Sequence, residues 1–206
     1  MKISLEGVSK KFNSSWVIKN FDFEFNEGIS YGIAGRNGVG KSTLMQLIGG
    51  MIRPNKGKVH WVVTGKENRE DIESLICMAA PYMDLPSYFT INELLNFHFT
   101  FKSYIDNISS HDFWDLTDLK SHQRKTILEL SSGLYQRLKL ALAILSEGEV
   151  LLLDEPTTNL DSEARKWFSK LLHDFAKNRT VIIASNDEQD FFHTQIKIEL
   201  KQYMKV

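Results

Sequence analysis

The feature that most constrains the chain is Gly35-Arg36-Asn37-Gly38-Val39-Gly40-Lys41-Ser42, a full match to G-x-x-x-x-G-K-[ST]. It stands between residues 29–34, an apolar run of strand length, and Thr43-Leu44-Met45-Gln46-Leu47-Ile48, which suits a helix. Glycines let the backbone curl until its N–H groups converge, and the N-terminus of the helix that follows adds partial positive charge at the same point. Strand, loop and helix in this order make a phosphate cradle. Lys41 would hold the β- and γ-phosphates of a nucleotide as a point charge, and the Ser42 hydroxyl would sit on Mg²⁺. The competing reading is an ordinary glycine-rich turn, and the flanking strand and helix weigh against it.

A second signal lies more than a hundred residues on. Val150-Leu151-Leu152-Leu153 runs apolar into two adjacent carboxylates, Asp154 and Glu155. At the end of a strand Asp154 can approach Mg²⁺, and Glu155 can polarise an attacking water as general base. Alone this motif is weak, because many buried strands end in acidic residues; paired with a phosphate loop it becomes specific. Val181-Ile182-Ile183-Ala184 is a similar apolar run, and both suit central parallel strands covered on two faces.

The rest of the chain predicts the surroundings of those strands. Phe21-Asp22-Phe23-Glu24-Phe25 alternates with the period of a half-buried strand, Asn26-Glu27-Gly28 supplies a turn, and residues 59–63 add another strand to this early, antiparallel region. Residues 90–146 are mostly helical, with Leu94, His98 and Phe101 on one face and Leu134, Leu138, Ala141, Leu142 and Leu145 on another. Ser162 is expected to cap a helix that turns Trp167, Phe168, Leu171, Leu172 and Phe175 inward, and Ile196-Lys197-Ile198-Glu199-Leu200 to close the chain as a strand.

Composition removes several function classes. Lys and Arg total 25 against 26 Asp and Glu, so no global field attracts nucleic acid, and no nucleic-acid partner is expected. The single cysteine, Cys77, rules out an internal disulfide framework and suits a small buried residue. The six histidines show no metal-ligand spacing. The start carries charge too early for a signal peptide, and no stretch approaches the roughly 18 apolar residues of a membrane span, so membrane association is expected only through a partner.

A third signal decides the family. Leu130-Ser131-Ser132-Gly133-Leu134-Tyr135-Gln136-Arg137 precedes the Asp154–Glu155 pair and resembles the signature L-S-G-G-Q-x-[QR]-R of the ATP-binding-cassette (ABC) ATPases. Ser132 stands where that family has its first glycine and Leu134 where it has glutamine. Pro156-Thr157-Thr158-Asn159-Leu160-Asp161 looks like the family's D-loop, with Asn159 and Asp161 its marked positions, and Lys10-Lys11-Phe12 resembles its aromatic A-loop. The resemblance covers essentially the whole chain.

It implies an α/β fold of the P-loop NTPase kind: a mainly parallel core sheet, an N-terminal antiparallel β subdomain and an inserted α-helical subdomain. Residues 1–206 would form one ABC ATP-binding domain, with 1–88 and 147–206 as the ATP-binding core and about 89–146 as the helical subdomain. It further implies ATP and Mg²⁺ as cofactors. Phe12, Gly35, Arg36, Asn37, Gly38, Val39, Gly40, Lys41, Ser42, Thr43 and Asn186 would bind ATP, Ser42 and Asp154 the metal, and Glu155 would be catalytic. Leu130, Ser131, Ser132 and Gly133 would meet the ATP of a partner subunit. Phe12 would stack on the adenine, although either Phe12 or the nearby Trp16 could instead belong to the β core.

Two positions depart from the family. Pro81 falls where a glutamine normally touches Mg²⁺ or water, so coupling is expected to run through Tyr82, Met83 and Asp84 or to be weaker. Asn186 replaces a histidine, and an asparagine can donate a hydrogen bond to phosphate but cannot take a proton, so slower hydrolysis is expected.

The function implied is an ATP-hydrolysing subunit of an ABC transporter, driving a separate transmembrane permease through a nucleotide-dependent dimer with itself or a similar subunit. Its location would be cytoplasmic, peripheral on the inner face of the membrane. In size it is similar to small exporter ATPases such as that of the cytochrome c maturation haem exporter. Phe97, Phe99, Phe101 and Tyr104 could form a docking surface, with helix core the expectation for most. The alternatives are a soluble ABC-type ATPase, as in iron-sulfur assembly, and a nucleotide-binding regulator with little turnover.

Overall fold

The computed structural model describes residues 1–63, 66–67 and 72–203, whose strands form one four-stranded and one five-stranded sheet. In the first, β1 (Lys2–Phe12) and β2 (Ser15–Phe25) make an antiparallel hairpin; β4 (Lys56–Val63) pairs with the other edge of β1, and β5 (Lys66–Glu67) lies beyond it. The second runs in the order β6 (Ile76–Ala79), β7 (Val150–Asp154), β8 (Thr180–Ser185), β3 (Ser30–Ala34), β9 (Ile196–Glu199), and every pairing in it is parallel. Connections between parallel strands are long and most of them here are helical, the one from β8 to β9 carrying only a short 3-10 turn, Glu188–Phe191. Helix α1 (Lys41–Ile48) follows β3, the short α2 (Ile72–Leu75) precedes β6, and α6 (Ser162–Phe175) links β7 to β8. Between β6 and β7 lie α3 (Ile91–Phe101), α4 (Ser110–Thr117) and α5 (Ser132–Ile144), and α7 (Leu200–Tyr203) follows β9.

The period of two along the central strands divides the core into two layers. Leu151, Leu153, Val181 and Ile183 pack with residues of α5 and α6, whereas Leu152, Ile182 and Ala184 turn to the opposite face and meet Leu44, Met45 and Leu47 of α1 together with Ile3, Phe21 and Phe25 of the hairpin. Strands β7 and β8 are buried at every position, and each leucine so buried contributes about 1.5–3 kcal/mol. This burial holds the register that builds the site. Ala34 pairs with Ser185 and Asp154 with Ala184, so the C-terminal ends of β3, β7 and β8 finish on one edge. The residues that leave those ends are Gly35, Glu155 and Asn186. Open parallel sheets bind ligands outside such an edge.

Several local expectations are corrected. The N-cap of α6 is Asp161, whose side chain accepts from the Ala164 N–H at 2.8 Å, and Ser162 is the first helical residue. Leu200 opens α7 and does not extend the strand. On α3, Leu94 is buried but Phe101 is 74% exposed, because the helix ends there and its last turn projects beyond the core. Phe97, half exposed, makes an edge-on contact with Phe101, whereas Phe99 and Tyr104 stack on each other against the core. Phe12 and Trp16 both lie outside the two core clusters.

Candidate functional site

The loop after β3 takes its shape from glycine. Gly38 and Gly40 have φ of +77° and +111°, in the region side chains disfavour. A Cβ on Gly40 would also stand 2.9 Å from Ile18 Cδ1 and 3.1 Å from Val17 Cγ1, so β2 presses on the turn from outside. Gly40 is the N-cap of α1 and offers no side-chain acceptor, which leaves the N–H groups of the first helical turn available to an anion. Lys41 folds back beneath the loop. It is 5% exposed, and its Nζ donates to the Gly35 carbonyl at 2.8 Å and meets Glu155 Oε1 at 3.1 Å.

Glu155 leaves β7 with φ +48°, a strained conformation fixed on one side by its N–H bond to the Ala184 carbonyl at 2.8 Å. Its Oε2 accepts from the Asn186 N–H at 3.4 Å and lies 3.2 Å from the Ser185 hydroxyl oxygen. Asn186 Nδ2 in turn donates to Asn37 Oδ1 at 2.9 Å and so ties the end of β8 to the glycine loop. Gly38, Gly40, Lys41, Ser42, Thr43, Asn37, Val17, Pro81, Glu155, Thr158 and Asn186 line one cavity of about 500 Å³. Exposed Arg36, with Gly35, Asn37 and Asn186, lines an adjoining cavity, and Val39 N–H closes the turn onto the Arg36 carbonyl at 3.2 Å.

Asp154 is 1% exposed, and neither carboxylate oxygen makes a hydrogen bond among the described residues. Burial raises its pKa and the Glu155 charge adds to the rise; the Ser42 hydroxyl, close by but outside hydrogen-bond geometry, and the Lys41 charge oppose it. A buried acid with two unpaired oxygens beside a hydroxyl fits a hard cation that also takes oxygens from a phosphate. No group of three or more His, Cys, Asp or Glu gathers as a metal site among the described residues. Tyr82, 36% exposed, sits near the same acid: partial burial raises its phenol pKa, with the Asp154 charge second, while Gln46 partly stabilises the ionised form.

The remaining candidates lie apart from this cavity. Phe12 is 47% exposed at the end of β1 with the Lys10 ammonium 5.5 Å from its ring centroid, and Trp16 has Lys11 and Lys56 over its ring. Neither ring lines the cavity. Ser131 caps α5 by accepting from Leu134 N–H at 3.3 Å, Ser131 and Ser132 face solvent, and Leu130 packs against the core. This segment lies against the turn after Glu155. A Cβ on Gly133 would be 3.3 Å from the Asn159 carbonyl, Asn159 itself has φ +65°, and Gln136 Nε2 donates to the Pro156 carbonyl at 2.8 Å.

Helix α5 also carries two contacts that sequence reading passed over. Buried Lys139 donates to the Ala80 carbonyl at 3.0 Å, and the Tyr135 hydroxyl accepts from Leu85 N–H at 2.9 Å, so both reach the segment around Pro81. The signal for Lys139 was available: a lysine between Leu138 and Leu140 on an otherwise apolar stretch.

Comparison with known proteins follows the same outline. The family described as ABC transporter matches residues 18–158. The chain is 30% identical over 191 residues to the Nod factor export ATP-binding protein I of Rhizobium johnstonii, covering 89% of this chain and 61% of that protein. Against the bacitracin transport ATP-binding protein BcrA of Enterococcus faecalis it is 29% identical over 191 residues, again 89% and 61%. The chain thus spans about three fifths of the length of these curated relatives. In fold it resembles a putative ABC transporter ATP-binding protein from Pyrococcus furiosus, with a TM-score of 0.79, 21% identity and 100% of both chains covered. The dimeric structure of a bacterial ABC transporter cassette gives a TM-score of 0.78 at 23% identity, covering 96% of this chain and 94% of that one. With a family match across more than half its length and the α/β fold of those cassettes, the chain belongs to the ABC transporter family as an ATP-binding cassette.

Proposed function

We propose that this chain binds and hydrolyses ATP as the motor of a transporter whose membrane-spanning part is a separate subunit. The observation that carries the reading is the one cavity that gathers Gly38, Gly40, the first turn of α1, Glu155 and Asn186, with Lys41 ion-paired to Glu155 inside it. An anion entering there meets the first N–H groups of α1 and the Lys41 ammonium together. Lys41 then exchanges Glu155 for phosphate oxygens, and Glu155, released from its ion pair, turns to a water in line with the terminal phosphate as general base. Ser42 and Asp154 would hold Mg²⁺, which neutralises charge on the β- and γ-phosphates. Asn186, already bonded to the loop through Asn37, donates to the terminal phosphate but takes no proton, so turnover is slow.

On this reading, residues 89–146 act as the helical subdomain and the rest as the nucleotide-binding core. The exposed Ser131 and Ser132 at the start of α5 present hydroxyl and N–H groups to the nucleotide of a second cassette, and Asn159 and Asp161 carry the signal between the two. Phe12 supplies the adenine platform by its exposed ring. The relatives' printed roles in Nod factor export and bacitracin transport support a transport motor, and the dimeric cassette among the similar folds supports pairing. The reading places the chain peripherally on the cytoplasmic face, through a permease; no helix among the described residues is long and apolar enough to cross a membrane.

A second reading, a nucleotide-binding regulator with little turnover, draws on Asn186 and Pro81 at the cavity wall. Light scattering on the Glu155→Gln variant tests the motor. Dimers that form only with ATP support it, and monomers at saturating ATP contradict the paired cassette.

A further inference from the structure

A buried carboxylate outside the cavity is linked to Glu155 by way of Ser185. Asp190 follows β8 by five residues and is 5% exposed. Both its oxygens are engaged by hydroxyls: Oδ2 accepts from Ser185 at 2.6 Å and Oδ1 from Thr157 at 2.7 Å. Ser185 is fully buried, and its oxygen also accepts the Asp187 N–H at 3.0 Å and lies 3.2 Å from Glu155 Oε2. Thr157 belongs to the turn that follows Glu155, whose φ of +48° is held in part by the Thr158 N–H bond to the Glu155 carbonyl at 3.3 Å. A strained backbone persists only where its surroundings over-determine it, and Asp190 grips the segments on both sides of this one. Such a buried carboxylate is costly unless its lone pairs are satisfied, so two short hydroxyl bonds fix it firmly. Asp187, paired with Arg165 at 2.7 Å, flanks it without touching Glu155.

We propose that Asp190 is a positioning residue for hydrolysis: through Ser185 it aims the Glu155 carboxylate, and through Thr157 it holds the turn on which Glu155 stands. The inference rests on the reading of Glu155 as general base. A hydroxyl has one proton, and in the short bond to Asp190 that proton is committed there, which locks the Ser185 rotamer. The Ser185 oxygen then limits the directions open to Glu155 Oε2 once Lys41 leaves it. Displacing a reacting group by about 1 Å costs on the order of a hundredfold in rate, so loss of this anchor falls on kcat and spares nucleotide binding.

The test is steady-state ATP turnover of the wild-type chain, Glu155→Gln, Asp190→Asn, Ser185→Ala and the double variant Ser185→Ala/Asp190→Asn, each with its ATP affinity measured as a check of folding. The expected result is a kcat lowered about 10- to 100-fold in each single variant, KM within about twofold, and a double variant no slower than the worse single within about threefold, because the Ser185 contact that Ser185→Ala removes is already weakened in Asp190→Asn. Losses that multiply in the double variant, or a kcat unchanged in both singles while Glu155→Gln abolishes turnover, would overturn the positioning role alone. Wild-type turnover that survives Glu155→Gln would overturn the role of Glu155 and with it the inference. Should Asp190→Asn fail to bind ATP, Ser185→Ala by itself decides by the same criterion.

Discussion

Asp154 makes a demand on stability that the site is expected to relieve only with its ligands present. In the free protein its two oxygens are buried and unbonded, with the Lys41 ammonium near but committed to Gly35 and Glu155. An unpaired buried carboxylate costs several kcal/mol, which Lys41 offsets in part. Asparagine at 154 keeps the shape and removes the charge, but its amide is also unpaired, at about 1–3 kcal/mol. The difference leaves Asp154→Asn more stable than the wild type by about 1–2 kcal/mol. For a chain of this length that raises the unfolding midpoint by about 2–8 °C. Scanning fluorimetry should therefore show a higher midpoint for the ligand-free variant, while the extra stabilisation that Mg²⁺ adds to ATP, about 2.7 kcal/mol at a hundred times its Kd, appears only in the wild type. A ligand-free variant less stable than the wild type would refute the account of Asp154 as an acid waiting for a cation. So would an Mg²⁺ increment that survives the substitution.

Three further outcomes are expected. Lys41→Ala removes the cation beneath the loop and should weaken ATP binding about a hundredfold, equivalent to about 2.8 kcal/mol, by isothermal titration; unchanged affinity would contradict the phosphate loop. Asn186→His should raise kcat at least a few-fold if the missing proton acceptor limits the rate, and an unchanged kcat places the slow step elsewhere. His98, pushed down to about 4 by burial and then by the Lys102 charge, is neutral in the fold and donates to the Ser146 hydroxyl, which itself donates to Leu142. Below its unfolded pKa near 6.5 the unfolded chain binds the extra proton, so stability falls as pH drops from about 6.5 to 4, by up to ~3 kcal/mol. His98→Gln should flatten that slope, and an equal slope in both proteins would assign it to other groups.

The architecture was legible where one residue pattern admits one structure. The apolar runs at 150–153 and 181–184 are fully buried strands because nothing in them can face water, and the loop at 35–40 lies between strand and helix as its glycines require, the helix starting at Lys41, two residues before the expected Thr43. Strand β1 was not legible. Its pairing with β2 shifts register between Leu5 and Val8, which breaks the alternation that would have marked it. The cap of α6 was misread by one residue because Asp161 and Ser162 both have capping side chains, and only the backbone decides between them. At the site, the residues near the phosphate loop could be named from motifs, but the support behind Glu155 could not. Asp190 meets Thr157 across 33 positions of sequence, and only the register of β7 against β8 brings their neighbourhoods together.

The central claim is that Glu155, freed from Lys41 by bound nucleotide, hydrolyses ATP in this cavity. Turnover by the purified chain and by Glu155→Gln, each with and without Mg²⁺, tests it most directly. The account predicts phosphate release that requires Mg²⁺ and is lost in the variant while ATP binding persists; release undiminished in Glu155→Gln, or independent of Mg²⁺, would contradict it.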